Sequence, residues 1–256
     1  MINTIIVTPF LNILVTLYSL LPGHDFGVAV IVFTIIIRIV LWPLASKALH
    51  SQKAMQELQP EVEKLKKRYK DKAELNKALM ELYKEKEINP MGSCLPTIVQ
   101  LPFLFSMFYA FLKFKNPDFV MLANEDGISA LLYPFVKNLS FVKDILSTQS
   151  AISTTFLGAI NLGKASVVLA VFAAATQFFQ TKMMSPAKNK DETQKMMGQM
   201  TYLFPVMTFA FGMSLPAALP LYWGVQSLFA IFQQYWVMHR DVSFMEHLKN
   251  TVGKKK

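Results

Sequence analysis

The run from Thr201 to Met238 contains 38 residues and no Asp, Glu, Lys or Arg, and it constrains the fold more than any other feature of the sequence. As one helix, this run would be about 57 Å long, whereas the hydrocarbon core of a membrane is about 30 Å thick. Pro216 and Pro220, in the segment SLPAALP, favour a turn that divides it. The run therefore predicts two membrane-spanning helices, at 199–215 and 219–238.

Three further apolar segments are long enough to span a membrane, at 26–46, 95–113 and 165–182. Arg38 is the one charged residue in the first segment, and each of the other two carries a lysine only at its last position. The whole chain is 53% hydrophobic and 17% charged, against about 25% charged in soluble domains. The sequence predicts an all-α polytopic membrane protein with five transmembrane helices. It excludes a disordered chain, a disulfide scaffold and most soluble enzymes.

The N-terminal segment 1–23 is apolar but allows two interpretations. Its apolar side chains at helical spacing indicate an amphipathic helix lying at the outer membrane surface. A sixth span is the alternative. No Lys or Arg precedes Arg38, so no cleaved secretory signal is predicted. The residues of this apolar stripe are Phe10, Ile13, Leu14, Leu17 and Leu21.

Positive charge predicts the orientation, because cytoplasmic loops of membrane proteins carry an excess of Lys and Arg. Twenty of the 26 Lys and Arg residues lie in Lys47–Lys86, Lys182–Lys195 and Arg240–Lys256. We therefore expect the N-terminus outside and the C-terminus in the cytoplasm. The predicted cytoplasmic parts are a helical hairpin at 47–90, a loop at 183–198 and a short basic tail at 239–256, and the predicted outer loop is 114–164.

The hairpin prediction comes from a stripe of apolar residues in a highly charged segment. Asp71 can cap a second helix, with Glu74 three residues later as in a capping box. Pro60 should kink or restart the first helix. A solvated linker whose charges only keep it soluble is the alternative to two packed antiparallel helices. The stripe consists of Met55, Leu58, Val62, Leu65 and Tyr69, at spacings of three and four.

Arg38 lies near the predicted bilayer centre, about 16 Å along the first span from Gly27. A central arginine costs roughly 2.5–3.5 kcal/mol on insertion scales, and the five spans contain no Asp or Glu to pair with it. We expect Arg38 to face water or polar side chains that form a wet cavity able to attract a carboxylate. A structural role, donating to backbone carbonyls at proline kinks, is the alternative. The candidate neighbours are Thr34, Gln100, Gln177, Gln180, Tyr222, Trp223, Gln226, Gln233 and Gln234.

No motif for covalent catalysis occurs in the sequence. It contains no HExxH, Walker loop, GxSxG or glycine-rich dinucleotide turn. The single cysteine, Cys94, supplies neither an internal disulfide nor a metal cluster. The sequence therefore predicts a protein that is not an enzyme and that uses no cofactor and no metal.

Six stretches resemble the YidC/Oxa/Alb family of membrane protein insertases, in its bacterial YidC form. They follow the family's order over nearly the whole chain, and NPMGSCLP after a charged hairpin is the most specific of them. They are TIIIRIVLWPL at 34–44, SQKAMQELQPEVEKLKKRYKD at 51–71, INPMGSCLPTIVQLPFLFSMFYAF at 88–111, QTKMMSP at 180–186, QKMMGQMTYLFPVM at 194–207 and LPLYWGVQSLFAIFQQ at 219–234.

The resemblance implies a five-helix core with a groove that is open to the cytoplasm and to lipid but closed on the outer side. Arg38 corresponds to the family's groove arginine, Thr34 to the threonine one turn earlier, and Gln177 approximately to a polar position in the third span. It also favours the surface helix over a sixth span at 1–23. The expected client-binding groove consists of Arg38, Thr34, Gln100, Gln177, Gln180, Tyr222, Trp223 and Gln226.

The function implied is insertion and folding of integral membrane proteins in the bacterial cytoplasmic membrane, alone or with the Sec translocon. The implied partners are nascent membrane-protein clients, membrane lipids, the Sec translocon, and the ribosome and a targeting receptor through the hairpin and the basic tail. A small-anion channel or transporter that uses Arg38 as its selectivity charge is one alternative. A chaperone that binds spans released by Sec, without inserting them, is another.

Overall fold

A computed structural model describes residues 7–86, 88, 100–102, 105–106, 108, 119–121, 128–148, 151–184 and 192–240. This part of the chain is mostly helical, which confirms the predicted helical class. Several predicted features lie outside the described residues. They are most of the span at 95–113 with the NPMGSC segment and Cys94, residues 185–191 of the cytoplasmic loop, and the tail beyond Arg240.

Helix α2, Phe26–Val40, and helix α3, Trp42–Glu57, meet at an angle of 65°. Within the described residues, only this bent pair taken together has the length and hydropathy to cross a membrane, and no single helix does. The helix predicted to continue through 26–46 therefore ends at Val40. Pro43 explains the break, because it has no amide hydrogen to donate to the carbonyl of Ile39.

Two shorter helices follow α3 in the charged segment. Helix α4, Gln59–Arg68, restarts with Pro60 in its first turn, and helix α5, Lys72–Glu85, packs against it. The Asp71 carboxylate caps α5, as predicted, by accepting from the amides of Ala73 and Glu74 at 3.1 Å. Leu58, Val62 and Leu82 are buried, and Lys86 lies 3.8 Å from Glu61.

Helix α1, Thr8–Leu20, packs against α2 and against a segment that follows the predicted second span. This segment contains a 3-10 turn at Ile128–Leu131, helix α6 at Pro134–Lys137 and helix α7 at Ser140–Thr148. Asn12 is buried between them: its amide donates to the carbonyl of Leu131 at 2.8 Å and accepts from the amide of Tyr133 at 2.6 Å.

The buried face of α1 differs from the predicted apolar stripe. Ile13 was expected on the stripe but is 46% exposed, whereas Leu11, Val15 and Tyr18 are buried. The reason is that α1 is covered from two sides, by α2 and by residues 128–148, so packing selects a wider and rotated face. Burial raises the pKa of the Tyr18 phenol, and the negative charge of Asp25 raises it further.

Four short strands interrupt the helical pattern inside the predicted outer loop. Strand β1, Phe119–Met121, pairs antiparallel with β2, Ala151–Ser153, and β3, Thr155–Phe156, pairs with β4, Ile160–Asn161. The predicted helical class stands, and these strands add short pairings that the prediction lacked, because strands of two or three residues are too short to show an alternating pattern in a sequence.

The β3–β4 hairpin is fastened to the start of α2. Asp25 accepts from the amide of Val28 at 3.0 Å as the helix N-cap and from the amide of Leu157 at 2.6 Å. A Cβ on Gly27 would lie 2.1 Å from the Phe156 ring, so glycine is required where the hairpin crosses the helix. This contact closes the end of α2 that is distant from Arg38.

Three long helices complete the described structure: α8, Val167–Met184, α9, Glu192–Ser214, and α10, Ala218–Arg240. Helix α8 lies between α9 and α10, and α10 also packs against α2. Gly224 allows the close approach of α10, because a Cβ there would lie 2.2 Å from the Phe172 ring on α8. The break between α9 and α10 falls at residues 215–217, within SLPAALP.

A polar seam joins α8 to α9. Pro205 lies inside α9 and has no amide hydrogen for the carbonyl of Thr201. The Thr181 hydroxyl of α8 lies 3.4 Å from that carbonyl, and it donates at 2.9 and 3.1 Å to the carbonyls of Gln177 and Phe178 in its own helix. One turn away on α8 and two turns away on α9, the Thr208 hydroxyl donates to the side-chain carbonyl of Gln177. The seam therefore holds polar atoms inside an otherwise apolar helix pair.

Candidate functional site

A cavity of about 300 Å³ lies at the bend between α2 and α3, with α10 along its other side. Its polar lining consists of Arg38, Gln52, Gln100, Gln180, Tyr222, Trp223, Gln226, Gln233 and Gln234. Its apolar lining consists of Leu41, Leu44, Ala45, Ala48, Leu49, Leu101 and Ala230. No acidic side chain is among these residues, so Arg38 is the one charged side chain in the described lining.

Arg38 is half-buried, and the bend places its side chain against α10. Its Nη2 donates to the backbone carbonyl of Gln226 at 3.1 Å, while its Nε is buried and has no partner among the described residues. No carboxylate of the described residues lies within 4 Å of it. The hydrogen bond to the Gln226 carbonyl is the kind of contact expected if Arg38 has a structural role. It uses only one nitrogen of the guanidinium, and no carboxylate of the described residues neutralises the charge.

Tyr222 lies deep in the same site and is 2% exposed. Its hydroxyl accepts a hydrogen bond from the side-chain amide of Gln100. Because Gln100 belongs to the segment after the cytoplasmic hairpin and Tyr222 to α10, this bond joins the two sides of the cavity. Trp223 and Gln226 continue the lining on α10, with Trp223 half-buried.

Gln233 holds the first turn of α3 against α10. Its amide nitrogen donates to the carbonyl of Trp42 at 3.1 Å and lies 3.2 Å from the Ser46 hydroxyl. The Trp42 ring packs edge-on against Phe229, with ring centroids 5.8 Å apart. These contacts hold Gln233, a polar residue of the cavity lining, beside the bend between α2 and α3.

Six of the eight predicted groove residues line this cavity: Arg38, Gln100, Gln180, Tyr222, Trp223 and Gln226. The other two lie outside its lining. Thr34 is buried and donates to the carbonyl of Val30 in its own helix at 2.7 Å, and Gln177 accepts from Thr208 on α9. Gln233 and Gln234 were considered as neighbours of Arg38 but not included in the predicted groove, and both line it.

Gln52 is a lining residue that sequence reasoning missed, because the charged segment after Lys47 was treated as separate from the spans. The signal was present in the sequence. Leu41, Ala45, Ala48 and Gln52 are spaced by four, three and four, which places them on one face of a helix that continues from the first span.

The cavity offers hydrogen-bond donors and acceptors and a fixed positive charge. Its described lining contains no Ser, Cys, His, Asp or Glu, and the described residues contain no group of three or more His, Cys, Asp or Glu able to hold a metal ion. The chemistry available is binding of a polar or anionic segment by electrostatic attraction and hydrogen bonds.

Comparison with known proteins gives a consistent set of relatives. The family model described as 60Kd inner membrane protein matches residues 16–243. The membrane protein insertase YidC of Fusobacterium nucleatum is 35% identical over 222 residues, which are 84% of this chain and 87% of that protein. Membrane protein insertase YidC 2 of Bacillus anthracis is 35% identical over 239 residues, 91% of this chain and 79% of that protein. Membrane protein insertase MisCA of Bacillus subtilis is 30% identical over 253 residues, 96% and 83% of the two chains.

Proposed function

The chain belongs to the 60Kd inner membrane protein family of membrane protein insertases, and we propose that its cavity at the α2–α3 bend receives the polar tail of a client protein during insertion. The observation that carries this proposal is Arg38, a cation without a carboxylate partner among the described residues, in a cavity lined by neutral side chains. A charge that no described residue neutralises is available to a client.

Electrostatics supports the entry of an acidic tail. The attraction between two unit charges at 4 Å is about 1 kcal/mol in water and about 4 kcal/mol at the effective dielectric constant near a protein surface. Arg38 therefore attracts a client carboxylate more strongly in the cavity than the same two charges would attract each other in bulk water. The cavity also shortens the dehydrated path that the tail must cross.

The apolar part of a client then leaves into lipid, driven by hydrophobic partition. Helices α8 and α10, which correspond to the predicted third and fifth spans, carry large exposed apolar side chains on which a client helix can slide. Among them are Val168, Val171 and Phe179 on α8 and Leu228, Phe232 and Trp236 on α10. No covalent step is involved in this mechanism.

The membrane arrangement belongs to the same proposal. Five spans at the predicted positions, with the N-terminus outside and the C-terminus in the cytoplasm, place the α3–α5 segment and the basic tail on the cytoplasmic side. These parts are positioned to contact the Sec translocon, the ribosome and a targeting receptor. Helix α1 has 13 residues and a length of about 20 Å, which suits a helix on the outer surface better than a span.

The test is protease protection of a synthetic single-span client in liposomes that contain only this protein. The client is made with an acidic or a neutral N-terminal tail. We expect Arg38→Ala to reduce insertion of the acidic client by about tenfold, in line with the loss of one charge-assisted contact, and the neutral client far less. Arg38→Lys should retain most activity. Lys143→Ala, which removes an exposed lysine on α7, is the matched control.

Four other outcomes would change the proposal. Equal loss for acidic and neutral clients would remove the electrostatic role of Arg38. Equal protection by wild type and Arg38→Ala would keep the insertase and discard Arg38 as its agent. Absence of protection with wild type would favour a chaperone that depends on Sec, and saturable anion flux without a client would favour a channel.

A further inference from the structure

The end of the cavity away from Tyr222 contains two adjacent glutamines of α10 whose hydrogen bonding differs. Gln233 is 1% exposed and its amide nitrogen is bonded to Trp42 and Ser46. Gln234 is 3% exposed, and its side-chain carbonyl has no partner among the described residues. Buried polar atoms in native proteins are nearly always hydrogen-bonded, so an acceptor left open in a cavity lining indicates a ligand.

A second open group lies in the same cavity. The Nε of Arg38 is a buried donor without a partner among the described residues. Gln226, whose carbonyl binds Arg38, precedes Gln234 by eight residues on α10, a rise of about 12 Å. An extended polypeptide covers that length in about four residues.

The pair of open groups restricts the chemistry of the ligand. A carboxylate or another small anion supplies acceptors only, so it would satisfy Arg38 and leave the Gln234 carbonyl open. An apolar segment would satisfy neither. A polypeptide main chain offers one N–H donor and one C=O acceptor at nearly every residue, whatever its side chains.

We propose that the cavity contains a main-chain subsite in which Gln234 accepts a hydrogen bond from a backbone N–H of an extended client segment, while Arg38 binds an acceptor elsewhere on the same segment. This inference rests on the proposed function and adds to it a recognition that does not depend on the client's charge. An unfolded tail has backbone N–H and C=O groups that need hydrogen-bond partners, and the subsite satisfies one of them.

The test compares two neutral, acetylated clients of the same length that differ only in backbone N–H groups. One has a glycine tail and the other has a tail of N-methylglycine. We expect Gln234→Met to slow insertion of the glycine client by about three- to tenfold, as for loss of one hydrogen bond. The N-methylglycine client should be slow with wild type and unchanged by the substitution. Gln199→Met, at an exposed position on α9, is the matched control.

Binding of the same two tails, fluorescently labelled, to the detergent-solubilised protein gives a readout without insertion. We expect Gln234→Met to weaken binding of the glycine tail by the same factor and to leave binding of the N-methylglycine tail unchanged. The melting temperature of this variant should equal or exceed that of wild type, because it removes a buried acceptor that has no partner in the described structure.

Equal slowing of both clients, no effect on the glycine client, or a fall in melting temperature would each overturn the subsite. The experiments distinguish failure of the subsite from failure of the proposed function. The ratio of acidic to neutral clients reports on Arg38, whereas the ratio of the two neutral tails reports on Gln234. If wild type inserts neither client, the binding ratio alone supports or overturns the subsite.

Discussion

Asn12 joins the N-terminal helix to the segment that follows Leu131. Its side chain donates to the carbonyls of Leu131 and Thr8 and accepts from the amide of Tyr133, and it is buried while doing so. A single polar residue therefore fixes how α1 packs against the segment that contains Leu131 and Tyr133. In the sequence this asparagine looked like an interruption of an apolar stripe.

At this residue scale, we predict that Asn12→Leu lowers the free energy of unfolding by about 2 kcal/mol, because it leaves the Leu131 carbonyl and the Tyr133 amide, both bonded to the buried Asn12 side chain, without a side-chain partner. Chemical unfolding of the purified protein in detergent micelles would measure the change. Asn138→Leu, at an exposed position on the same side of the molecule, should stay within about 0.5 kcal/mol of wild type. Equal effects of the two substitutions would contradict the role of Asn12.

At the scale of elements, the contact between α8 and α9 depends on polar groups more than its apolar composition indicates. Pro205 in α9 leaves the Thr201 carbonyl without its helical partner and 3.4 Å from the Thr181 hydroxyl, and Gln177 accepts from Thr208 one turn before Thr181 on α8. Gln177 and Gln180 illustrate the division of α8 into two sides. Gln180 lines the cavity, whereas Gln177 makes the contact with α9.

A double-mutant cycle would measure this contact. We predict a coupling energy of about 0.6 kcal/mol, and not above about 1.7 kcal/mol, between Gln177→Leu and Thr208→Val, as found for side-chain hydrogen bonds between membrane helices. Thr176→Val combined with Thr208→Val is the control pair and should show no coupling, since the Thr176 hydroxyl donates to carbonyls of its own helix. Additive effects of Gln177→Leu and Thr208→Val would show that their hydrogen bond does not contribute to stability.

At the scale of the whole molecule, charge and apolar surface are separated. Helices α8, α9 and α10 expose large apolar side chains along much of their length, whereas α4 and α5 are covered with charged ones. This separation suits a protein whose helical bundle lies in lipid and whose charged helices lie in water.

Two lysine substitutions at equally exposed methionine and valine positions would test this separation. Val206 on α9 is 65% exposed and Met80 on α5 is 63% exposed. We predict that Val206→Lys strongly reduces integration of the protein into membranes, because lysine in a span costs about 2.5–3.5 kcal/mol. Met80→Lys should integrate like wild type. Alkali extraction of membranes measures the integrated fraction, and equal fractions for the two variants would contradict a lipid-facing α9.

Sequence reasoning succeeded where the information is local. Apolar spacing predicted helices, and Asp71 was identified as a cap because capping depends on residues within four positions. The order of motifs along the chain predicted the family, and the match of the family model over residues 16–243 confirms it. The insertase function implied by that resemblance is confirmed by the named relatives.

Hydropathy alone failed at three places. It did not reveal the bend between α2 and α3 before Pro43, because hydropathy averaged over a window of residues does not register the loss of one amide hydrogen. It placed Ile13 on the buried face of α1, since the second neighbour of that helix is more than a hundred residues away in the sequence. It also missed the short strands in the loop, of which β1 and β2 are held by pairing between distant segments.

The amino-acid sequence by itself determined the helical class, the family and the presence of one arginine without an acidic partner in the spans, because hydropathy, charge and motif order belong to the chain. Only the tertiary structure decided which glutamines meet Arg38. The bend at Leu41 turns α3 so that Gln52 reaches the same cavity as Gln233 and Gln234, while Gln177 turns towards α9. A helical period defines the face on which a side chain lies, but packing between helices decides what that face contacts.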